Sequence, residues 1–436
     1  MNYREALAWL YATQRFGIKL GLDNTKRLLA GLSVVEGRAP RDRSSKSRRD
    51  DEPTASQSSA LQLRNRSSKV IHAAGTNGKG SVCAMIDAIA RAAGHRTGLF
   101  TSPHLVSFRE RIRVKGEKIS EDEVARGLTD IRECTRDWDP HPTFFEITTA
   151  LALQHFQTTR CEILVLETGM GGRLDATNAI QSSVSVITPI DFDHEKWLGH
   201  SIAEIAKEKA GIIKPRIPVV SASQRPEAEA IIRQRAEECD APLQLVNDPW
   251  TKTKIALHGE HQKMNAALAI AALQAADIPV SDDKIARGLA AVEWPARFQI
   301  WNERIVIDGA HNPAGARILA QTWREQFGNK RATILLALLR EKNAPEIVQV
   351  FAPIAIKFVL PQIRSERAMP SNELAKVLSA ITRSLPYSTT PSVAEAISAA
   401  QQRTSERILI TGSLHFAGEA LAYLRGEPNA LEECAQ

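Results

Sequence analysis

The chain has 436 residues, of which 43 % are apolar and 24 % are charged. At roughly 100–200 residues per domain this length allows two to four domains, and the composition excludes a wholly disordered chain. Lys and Arg number 56 against 50 Asp and Glu, which gives a net charge of +6. A basic chain suggests a nucleic acid, an anionic membrane or an anionic substrate as partner, so the location of the charge matters.

Most of the excess positive charge lies in residues 38–69, which contain nine Lys or Arg and four Asp or Glu. The same segment has eight serines and only two large apolar residues, Leu61 and Leu63. This composition predicts a disordered insertion, because it buries too little apolar surface to offset the entropy of ordering. A nucleic-acid-binding arm is the alternative, but the segment lacks aromatic side chains that stack on bases. We therefore expect a nearly neutral folded body and no nucleic-acid partner.

The cysteines and apolar runs indicate a cytoplasmic protein with no membrane partner. Five cysteines lie far apart, without CxxC pairs or metal-ligand spacing, at positions 83, 134, 161, 239 and 434. No apolar run approaches the ~18 residues of a membrane helix. The first residues, MNYREALAWLYAT, contain charges and lack the pattern of a secretory signal.

Strand-like and helix-like segments alternate along the chain, which predicts an α/β architecture with largely parallel sheets. The first strand, 70–74, leads into Gly75-Thr-Asn-Gly-Lys-Gly-Ser81 and a helix from about 81 to 93. A glycine-rich turn at a helix N-terminus presents backbone N–H groups to phosphate. Lys79 can reach terminal phosphates, and the Ser81 hydroxyl lies near phosphate or Mg²⁺. The turn departs from GxxxxGK[ST] at Ala73 and Gly80, so an ordinary tight turn is the alternative.

Two further strands end in carboxylates. The strand 163–166 leads to Glu167, and the strand 184–190 leads to Asp191-Phe-Asp-His194. Open α/β sheets bind ligands at the carboxyl ends of their strands, where a carboxylate can hold Mg²⁺. Glu167 could instead cap a nearby loop. His194 could be a structural hydrogen-bonding histidine, since Mg²⁺ prefers oxygen ligands.

A helix is predicted over 202–213, and it carries Lys209 beside an apolar face. A lysine near a metal site can act as a cation or, when neutral, can be modified. After a helix over 265–275 and a turn at 293–297, a second α/β pattern begins. Its predicted strands are 304–307, 332–338, 357–360 and 407–411. We place a domain boundary near residue 296, with one domain over 1–296 and another over 297–436.

Nine motifs occur in order along almost the whole chain, and together they resemble the folylpolyglutamate synthase/dihydrofolate synthase family of the Mur ligase superfamily. They are GTNGKGS (75–81), TSPHL (101–105), FFE (144–146), ETGMGGRLDATN (167–178), DHEKWLGHSIAEIAKEKAGIIKP (193–215), HQKMNA (261–266), ARFQ (296–299), DGAHNP (308–313) and TGSLHFAGE (411–419). The resemblance implies an N-terminal P-loop ATPase-like domain with a mainly parallel sheet and a C-terminal Rossmann-like α/β domain.

The resemblance also implies an activity. Members are ATP-dependent amide-bond ligases that join L-glutamate to the carboxylate of dihydropteroate, or to the γ-carboxylate of a folyl glutamate, through an acyl phosphate. Both reactions use the same ATP and glutamate chemistry, and a bifunctional, monomeric enzyme with two Mg²⁺ ions is our preferred interpretation. Its small-molecule substrates are ATP, L-glutamate, and dihydropteroate or reduced folates.

The resemblance assigns a role to each motif residue. Lys79, His194 and Lys209 are the implied catalytic residues, and Lys209 matches a lysine that is carbamylated in family members. Mg²⁺ ligands would be Ser102, Glu167 and His194, and pterin contacts would be Phe145, Arg173, Leu174 and Asp175. Residues 16–22 resemble a further pterin-side segment. The implied ATP-binding residues are Thr76, Asn77, Gly78, Lys79, Gly80, Ser81, Asn265, Arg297 and Asp308.

The sequence departs from the family pattern in two places. The insertion 38–69 is longer than expected, and Arg340-Glu-Lys-Asn343 stands where an Asp-Lys-Asp run is usual. The nearest rival is a cell-wall Mur ligase acting on a UDP-muramyl peptide, although such enzymes typically have Gly-Lys-Thr at the phosphate turn. A nucleotide-binding regulatory or nucleic-acid-binding module is the rival from a different class, supported only by the basic charge.

Overall fold

The computed structural model describes residues 1–17, 21–32, 68–382, 384–403 and 406–432. The predicted insertion therefore lies outside the described residues except at positions 68 and 69, as do residues 18–20 of the predicted pterin-side segment and Cys434. Among the described residues, no helix combines the length and the apolar character needed to cross a membrane.

The described helices run in chain order from the N-terminus to residue 424. They are α1 (Tyr3–Ala12), α2 (Asp23–Gly31), α3 (Lys79–Ala92), α4 (Glu121–Thr135), α5 (Phe144–Thr158), α6 (Glu195–Leu198), α7 (Ile202–Ala210), α8 (Pro226–Glu238), α9 (His261–Ala275), α10 (Asp282–Ala291), α11 (Pro313–Phe327), α12 (Ala344–Phe351), α13 (Ser371–Ile381), α14 (Val393–Arg403) and α15 (Leu414–Leu424).

The described strands form two separate sheets. The first contains β1 (Lys69–Ala74), β2 (Thr97–Phe100), β3 (Ile112–Val114), β4 (Glu117–Lys118), β5 (Ile163–Glu167), β6 (Val184–Ile187), β7 (Val219–Ala222) and β8 (Leu243–Val246). The second contains β9 (Gln299–Ile300), β10 (Ile305–Ile307), β11 (Ala332–Leu336), β12 (Ala355–Pro361), β13 (Tyr387–Thr390) and β14 (Arg407–Thr411).

Both sheets are mainly parallel, which confirms the predicted α/β class. The strand order is β4-β3-β2-β5-β1-β6-β7-β8 in the first sheet and β13-β12-β11-β14-β10-β9 in the second. Only β3, β4 and β9 run antiparallel to their neighbours among the described strands. Helices cover the sheet faces, as parallel strands require, and the strands are correspondingly apolar.

The central strand of the first sheet explains where the motifs meet. β1 pairs on one side with β5, where Ala73 lies opposite Glu167, and on the other side with β6, where Ala74 lies opposite Ile187. The chain therefore leaves β1, β5 and β6 at the same edge of the sheet. In an open parallel sheet that edge is where ligands bind, since adjacent connections diverge there and leave a crevice.

Three predicted elements end earlier than expected, one of them the strand predicted over 332–338, which stops at Leu336. The third strand stops at Ile187 rather than at residue 190, and the N–H of Ile190 is donated to the side-chain oxygen of Gln224 instead of to a strand. The helix predicted over 202–213 ends at Ala210, because the Glu208 carbonyl accepts the Arg173 amide at 2.8 Å instead of an amide further along the helix. The helix after the phosphate turn starts at Lys79, two residues earlier than predicted.

The loop after β2 joins the two halves of the molecule. Val106 is buried in the core of the second sheet, and the carbonyl of Leu105 lies against Gly418 of α15. Glu432 accepts hydrogen bonds from the Tyr3 hydroxyl, at 2.8 Å, and from the Phe108 amide. The C-terminal end of the described chain thus holds the loop that begins at Ser102.

A side chain at position 418 tests this contact. We expect Gly418→Ala to lower the free energy of unfolding by about 1–3 kcal/mol, the usual cost of overpacking, because its Cβ would overlap the Leu105 carbonyl oxygen. Urea unfolding measures the change. Gly21→Ala is the matched control, since a Cβ there meets no atom of the described residues within 4 Å. Equal stability of the two variants would contradict the close packing of α15 on the loop.

Candidate active site

The phosphate turn lies between β1 and the N-terminus of α3. Gly78 has φ 91°, a left-handed conformation that favours glycine, and a Cβ there would lie 2.9 Å from Asn265 Oδ1. Lys79 folds back over the turn, and its ammonium donates to the carbonyls of Gly75 and Thr76 at 3.0 and 3.2 Å. The N-terminus of α3 and one fixed cation therefore lie together at this turn, as a phosphate site requires.

Gly80, which separates this turn from the usual P-loop pattern, has a packing reason. A Cβ at this position would lie 2.8 Å from Nε1 of Trp294, in the segment that leads to the second sheet. Trp294 packs against the core beneath α3. The glycine therefore lets the segment that leads to the second sheet lie directly on the helix that carries the phosphate turn.

Glu167 and Ser102 form a pair beside Lys79. The Ser102 amide donates to Glu167 Oε2 at 3.1 Å, and both residues are buried. Burial raises the pKa of Glu167, and the nearby Lys79 opposes that rise. The buried Ser102 hydroxyl has no hydrogen-bond partner among the described residues. A carboxylate and an unsatisfied hydroxyl oxygen are suitable donors for Mg²⁺, which prefers oxygen and keeps other positions for water or phosphate.

His194 lies in the connection between β6 and α6 and directly precedes α6. It has a left-handed backbone, with φ 53°, and burial lowers the pKa of its imidazole to about 3. A neutral imidazole can donate a nitrogen lone pair to a metal. The described residues contain no group of three or more His, Cys, Asp or Glu side chains placed to hold a metal. The predicted set, with one serine, one glutamate and one histidine, would thus rely on ligand oxygens to complete a coordination shell.

Lys209 lies at the end of α7, almost fully buried. Its ammonium donates to the Gly75 carbonyl at 2.7 Å. Burial, helped by the charge of Lys79, lowers its pKa to about 7. The side chain thus lies under the phosphate turn, and near neutral pH a large share of it carries no proton.

Asp193 belongs to a carboxylate segment predicted at a strand end, but the sequence predicted no role for it. Its Oδ1 is 2.6 Å from Nζ of Lys342, with 8 % and 7 % of the two side chains exposed. Nδ2 of Asn312 donates to Oδ2 of Asp193 at 3.2 Å, and Nε2 of His311 lies 3.4 Å from the same oxygen. Burial opposes ionisation, but His311 and Lys342 hold the pKa of this carboxyl well below its usual range. Three groups from the second sheet therefore converge on one carboxylate next to His194.

The signal for this cluster was present in the sequence. Lys342 lies in the Arg340-Glu-Lys-Asn343 segment, which departs from the usual Asp-Lys-Asp run. The structure brings that segment across to the first sheet, and Asn312 of the DGAHNP motif also pairs with Asn77 of the phosphate turn, at 3.2 and 3.4 Å. The C-terminal motifs thus contact the nucleotide motifs directly.

Two cavities lie between the sheets. The smaller, of about 140 Å³, is lined by every predicted ATP-binding residue and by Ser102, Glu167, His194 and Lys209. The larger, of about 1250 Å³, is lined on one side by Phe145, Leu174 and Asp175. Four residues line both cavities, namely Gly169, Met170, Asp193 and His194. The two cavities therefore meet at the Asp193–His194 turn.

The predicted pterin residues do not all face the larger cavity. Arg173 is absent from its lining, and its guanidinium pairs with Glu208 at 2.9 Å. Asp175 is buried and accepts hydrogen bonds from the amides of Gly169 and Met170 at 2.9 and 3.0 Å. Through these bonds Asp175 fixes the backbone of the 169–178 loop. Phe145 packs on Gly169, and both residues line the larger cavity.

The second sheet contributes two predicted nucleotide residues. Asp308, directly after β10, accepts from the amides of Phe298 and Ala310 at 2.7 and 2.8 Å. Burial raises the pKa of Asp308, and the adjacent Arg297 opposes that rise. Both side chains reach the smaller cavity, which is therefore closed by the C-terminal half.

Comparison with known families defines the class of protein. Residues 73–218 match the middle domain of the Mur ligases, and residues 296–414 match the glutamate ligase domain of the same ligases. These ranges contain the phosphate turn, Glu167 and His194 in the first, and Arg297, Asp308 and Lys342 in the second.

The individual relatives narrow this class. The dihydrofolate synthase/folylpolyglutamate synthase of Bacillus subtilis is 32 % identical over 451 residues, covering 96 % of this chain and 98 % of that protein. The E. coli FolC protein in complex with DHPP and ADP has a TM-score of 0.82 at 28 % identity, covering 97 % of this chain and 98 % of that chain. The bifunctional enzyme of Yersinia pestis, complexed with AMPPNP and Mn, has a TM-score of 0.81 at 28 % identity, covering 98 % of each chain.

The chain belongs to the folylpolyglutamate synthase/dihydrofolate synthase family of the Mur ligases. It is an ATP-dependent ligase that adds glutamate to a folate-type substrate, and the resemblance found in the motifs is confirmed. These relatives favour the folate branch over the cell-wall branch of the superfamily.

Removing the Asp193 charge tests the contact between the two halves. We expect Asp193→Asn to lower the free energy of unfolding by about 3 kcal/mol, because it leaves the Lys342 ammonium buried without its carboxylate. The double variant Asp193→Asn with Lys342→Met should recover part of this loss, since no unpaired charge remains. Chemical unfolding of the four proteins gives the coupling energy. A coupling near zero would show that the pair does not join the halves.

Proposed function

We propose that the protein is bifunctional: it joins the amine of L-glutamate to the carboxylate of dihydropteroate and to the γ-carboxylate of folyl glutamates. The observation that carries this proposal is the meeting of the two cavities at Asp193 and His194. A nucleotide in the smaller cavity and a carboxylate in the larger one would come into contact at this junction, which Gly169 and Met170 also line. Support also comes from the relatives that carry both activities in their names.

The chemistry proceeds in two steps. A carboxylate is a poor acyl donor, so its oxygen first attacks the γ-phosphorus of ATP, the bond to the β-phosphate oxygen breaks, and ADP leaves. The neutral amine of glutamate then attacks the acyl carbon, phosphate departs, and the nitrogen loses a proton. Both steps concentrate negative charge, which Lys79 and Arg297 would stabilise from opposite sides of the smaller cavity.

The residues around Glu167 would hold Mg²⁺. Ser102, Glu167 and His194 offer two oxygen donors and one neutral nitrogen, and the buried, unsatisfied Ser102 hydroxyl supports this assignment. The bound ion would offset the charge of the phosphate oxygens. The Yersinia relative that binds AMPPNP and Mn supports a divalent metal, and two such ions remain our preferred number.

Closure between the sheets would protect the acyl phosphate. Asp308, Arg297 and the Asp193–Lys342 pair bring the second sheet over the nucleotide, so that water has little access to the reactive carbon. A division near residue 296 would let the two halves move as domains. A monomeric state and a cytoplasmic location complete the proposal and stay predictions.

The direct test is a ligation assay. In the presence of ATP, Mg²⁺ and L-glutamate, we expect ADP release when dihydropteroate is added and also, in a separate reaction, when tetrahydrofolate is added. Reactions without any acceptor, or without glutamate, should release no ADP. Lys79→Ala should lower kcat by about a hundredfold or more, since it removes the cation over the phosphate turn. Lys69→Ala, at the opposite end of β1, is the control. Turnover with only one acceptor would exclude bifunctionality, and turnover with neither would exclude the proposal.

We also propose that Lys209 is carbamylated, so that its amine becomes a carboxylate-like group. Its pKa of about 7 supports this, because only the neutral amine attacks carbon dioxide, and about half of it is neutral at pH 7. Protonation then withdraws the amine as the pH falls.

Carbamylation of Lys209 has two consequences that can be measured. Activity at low bicarbonate should fall as the pH drops below about 7 and recover when bicarbonate is added. A crystal structure should have electron density for a carbamate at Lys209. Lys207→Ala, on the exposed face of the same helix, should retain the wild-type bicarbonate response, whereas Lys209→Ala should lose both activity and response. A free amine in the density, with no bicarbonate effect, would exclude the modification.

A further inference from the structure

Two arginines from opposite sides of the larger cavity converge on one carboxylate. Nη2 of Arg225, just before α8, lies 3.1 Å from Oδ1 of Asp191, and Nη2 of Arg317, on α11, lies 3.8 Å from Oδ2. Both arginines line the larger cavity, with 47 % and 48 % of their side chains exposed. Asp191 is much less exposed, so it acts as the fixed point that holds two guanidinium groups side by side.

These guanidinium groups keep unused hydrogen-bonding capacity. Arg225 contacts Asp191 through Nη2 alone, and its Nε and Nη1 have no hydrogen-bond partner within the described residues. Nη1 of Arg317 pairs with Glu346 at 2.6 Å, but both side chains are exposed, and ion pairs of this kind are weak. A ligand carboxylate could therefore bind Arg225 and replace Glu346 on Arg317 without leaving a buried charge unpaired.

Arg225 and Arg317 lie close to the place where the substrate carboxylate is proposed to react. Asp191 lies two residues before Asp193, where the two cavities meet and where the proposed acyl transfer takes place. In a folyl glutamate the reacting γ-carboxylate is joined to its own α-carboxylate through three carbons. When the γ-carboxylate reaches Asp193 and His194, the α-carboxylates of the chain come within reach of residues around Asp191.

We propose that Arg225 and Arg317 form a subsite for the α-carboxylates of the γ-glutamyl chain of a folyl substrate. This inference rests on the proposed function. Arginine suits the role because its planar fork matches a carboxylate in two parallel hydrogen bonds. Dihydropteroate has one carboxylate, which reacts, and therefore gains nothing from the pair. The subsite thus favours acceptors that already bear glutamate.

The test compares acceptors that differ in their number of carboxylates. Isothermal titration of the ADP-bound full-length protein with dihydropteroate, tetrahydrofolate monoglutamate and tetrahydrofolate triglutamate gives three dissociation constants for each variant. Arg225→Gln and Arg317→Gln should each weaken the triglutamate about tenfold, weaken the monoglutamate less, and leave dihydropteroate and ADP unchanged. Arg225→Lys should retain part of the affinity, because it keeps the charge and loses the fork.

Arg233→Gln is the matched control. Arg233 lies on α8, is 57 % exposed and pairs with Glu229, but it does not line the larger cavity. This variant should bind all three acceptors as the wild type does. Equal affinity loss for the three acceptors in the Arg225 or Arg317 variants, or no loss, would overturn the subsite.

The binding readout also separates this inference from the proposed function. If the wild type ligates dihydropteroate alone but its Arg225 and Arg317 variants still lose affinity in proportion to chain length, the subsite stands and the extension activity fails. If it extends folates while the variants bind every acceptor normally, the extension activity stands and the subsite is wrong.

Discussion

The ion pair between Asp193 and Lys342 is the contact on which the arrangement of the site depends. It is buried, it joins the two sheets, and it lies where the nucleotide cavity meets the larger cavity. A buried carboxylate and ammonium remain charged only when each has its partner, so the two halves are held at a defined distance. His311 and Asn312 approach the same carboxylate, which makes the DGAHNP segment part of the junction as well as part of the site.

The rest of the site is arranged around that junction by the parallel sheet. β1, β5 and β6 end at one edge, and this places the phosphate turn, Glu167 and the Asp191–His194 segment together. Lys209 reaches the same edge from below, through its bond to Gly75. The second sheet then closes the nucleotide cavity with Arg297 and Asp308. A ligase that makes an acyl phosphate needs both cation placement and exclusion of water, and both depend on the two sheets meeting at this edge.

Much of the fold could be predicted from the sequence because its elements are local. The α/β class, the mainly parallel sheets and the family were predicted and are confirmed, since apolar strands, glycine-rich turns and ordered motifs are visible in one dimension. The ends of elements were less accurate: the strand at 184 and the helix at 202 stop early, where Gln224 and Arg173 contact them. The sequence shows the position of each motif but not which motifs touch, so the contacts of Lys342 and Asn312 with Asp193 were not predicted. Their contacts span 149 and 119 residues of chain.

The sequence by itself determined the chemical groups available: a phosphate turn with Lys79, carboxylates at strand ends, a lysine in an apolar helix, and two α/β units. It also determined that most of the excess positive charge lies in residues 38–69 rather than in the rest of the chain. Only the tertiary structure decided which groups share a cavity, that Arg173 pairs with Glu208, and that burial lowers the pKa of Lys209 to about 7. The physical reason is that pKa values, ion pairs and cavities depend on distance and burial. Those quantities arise when distant segments pack together, and they are not properties of any one segment.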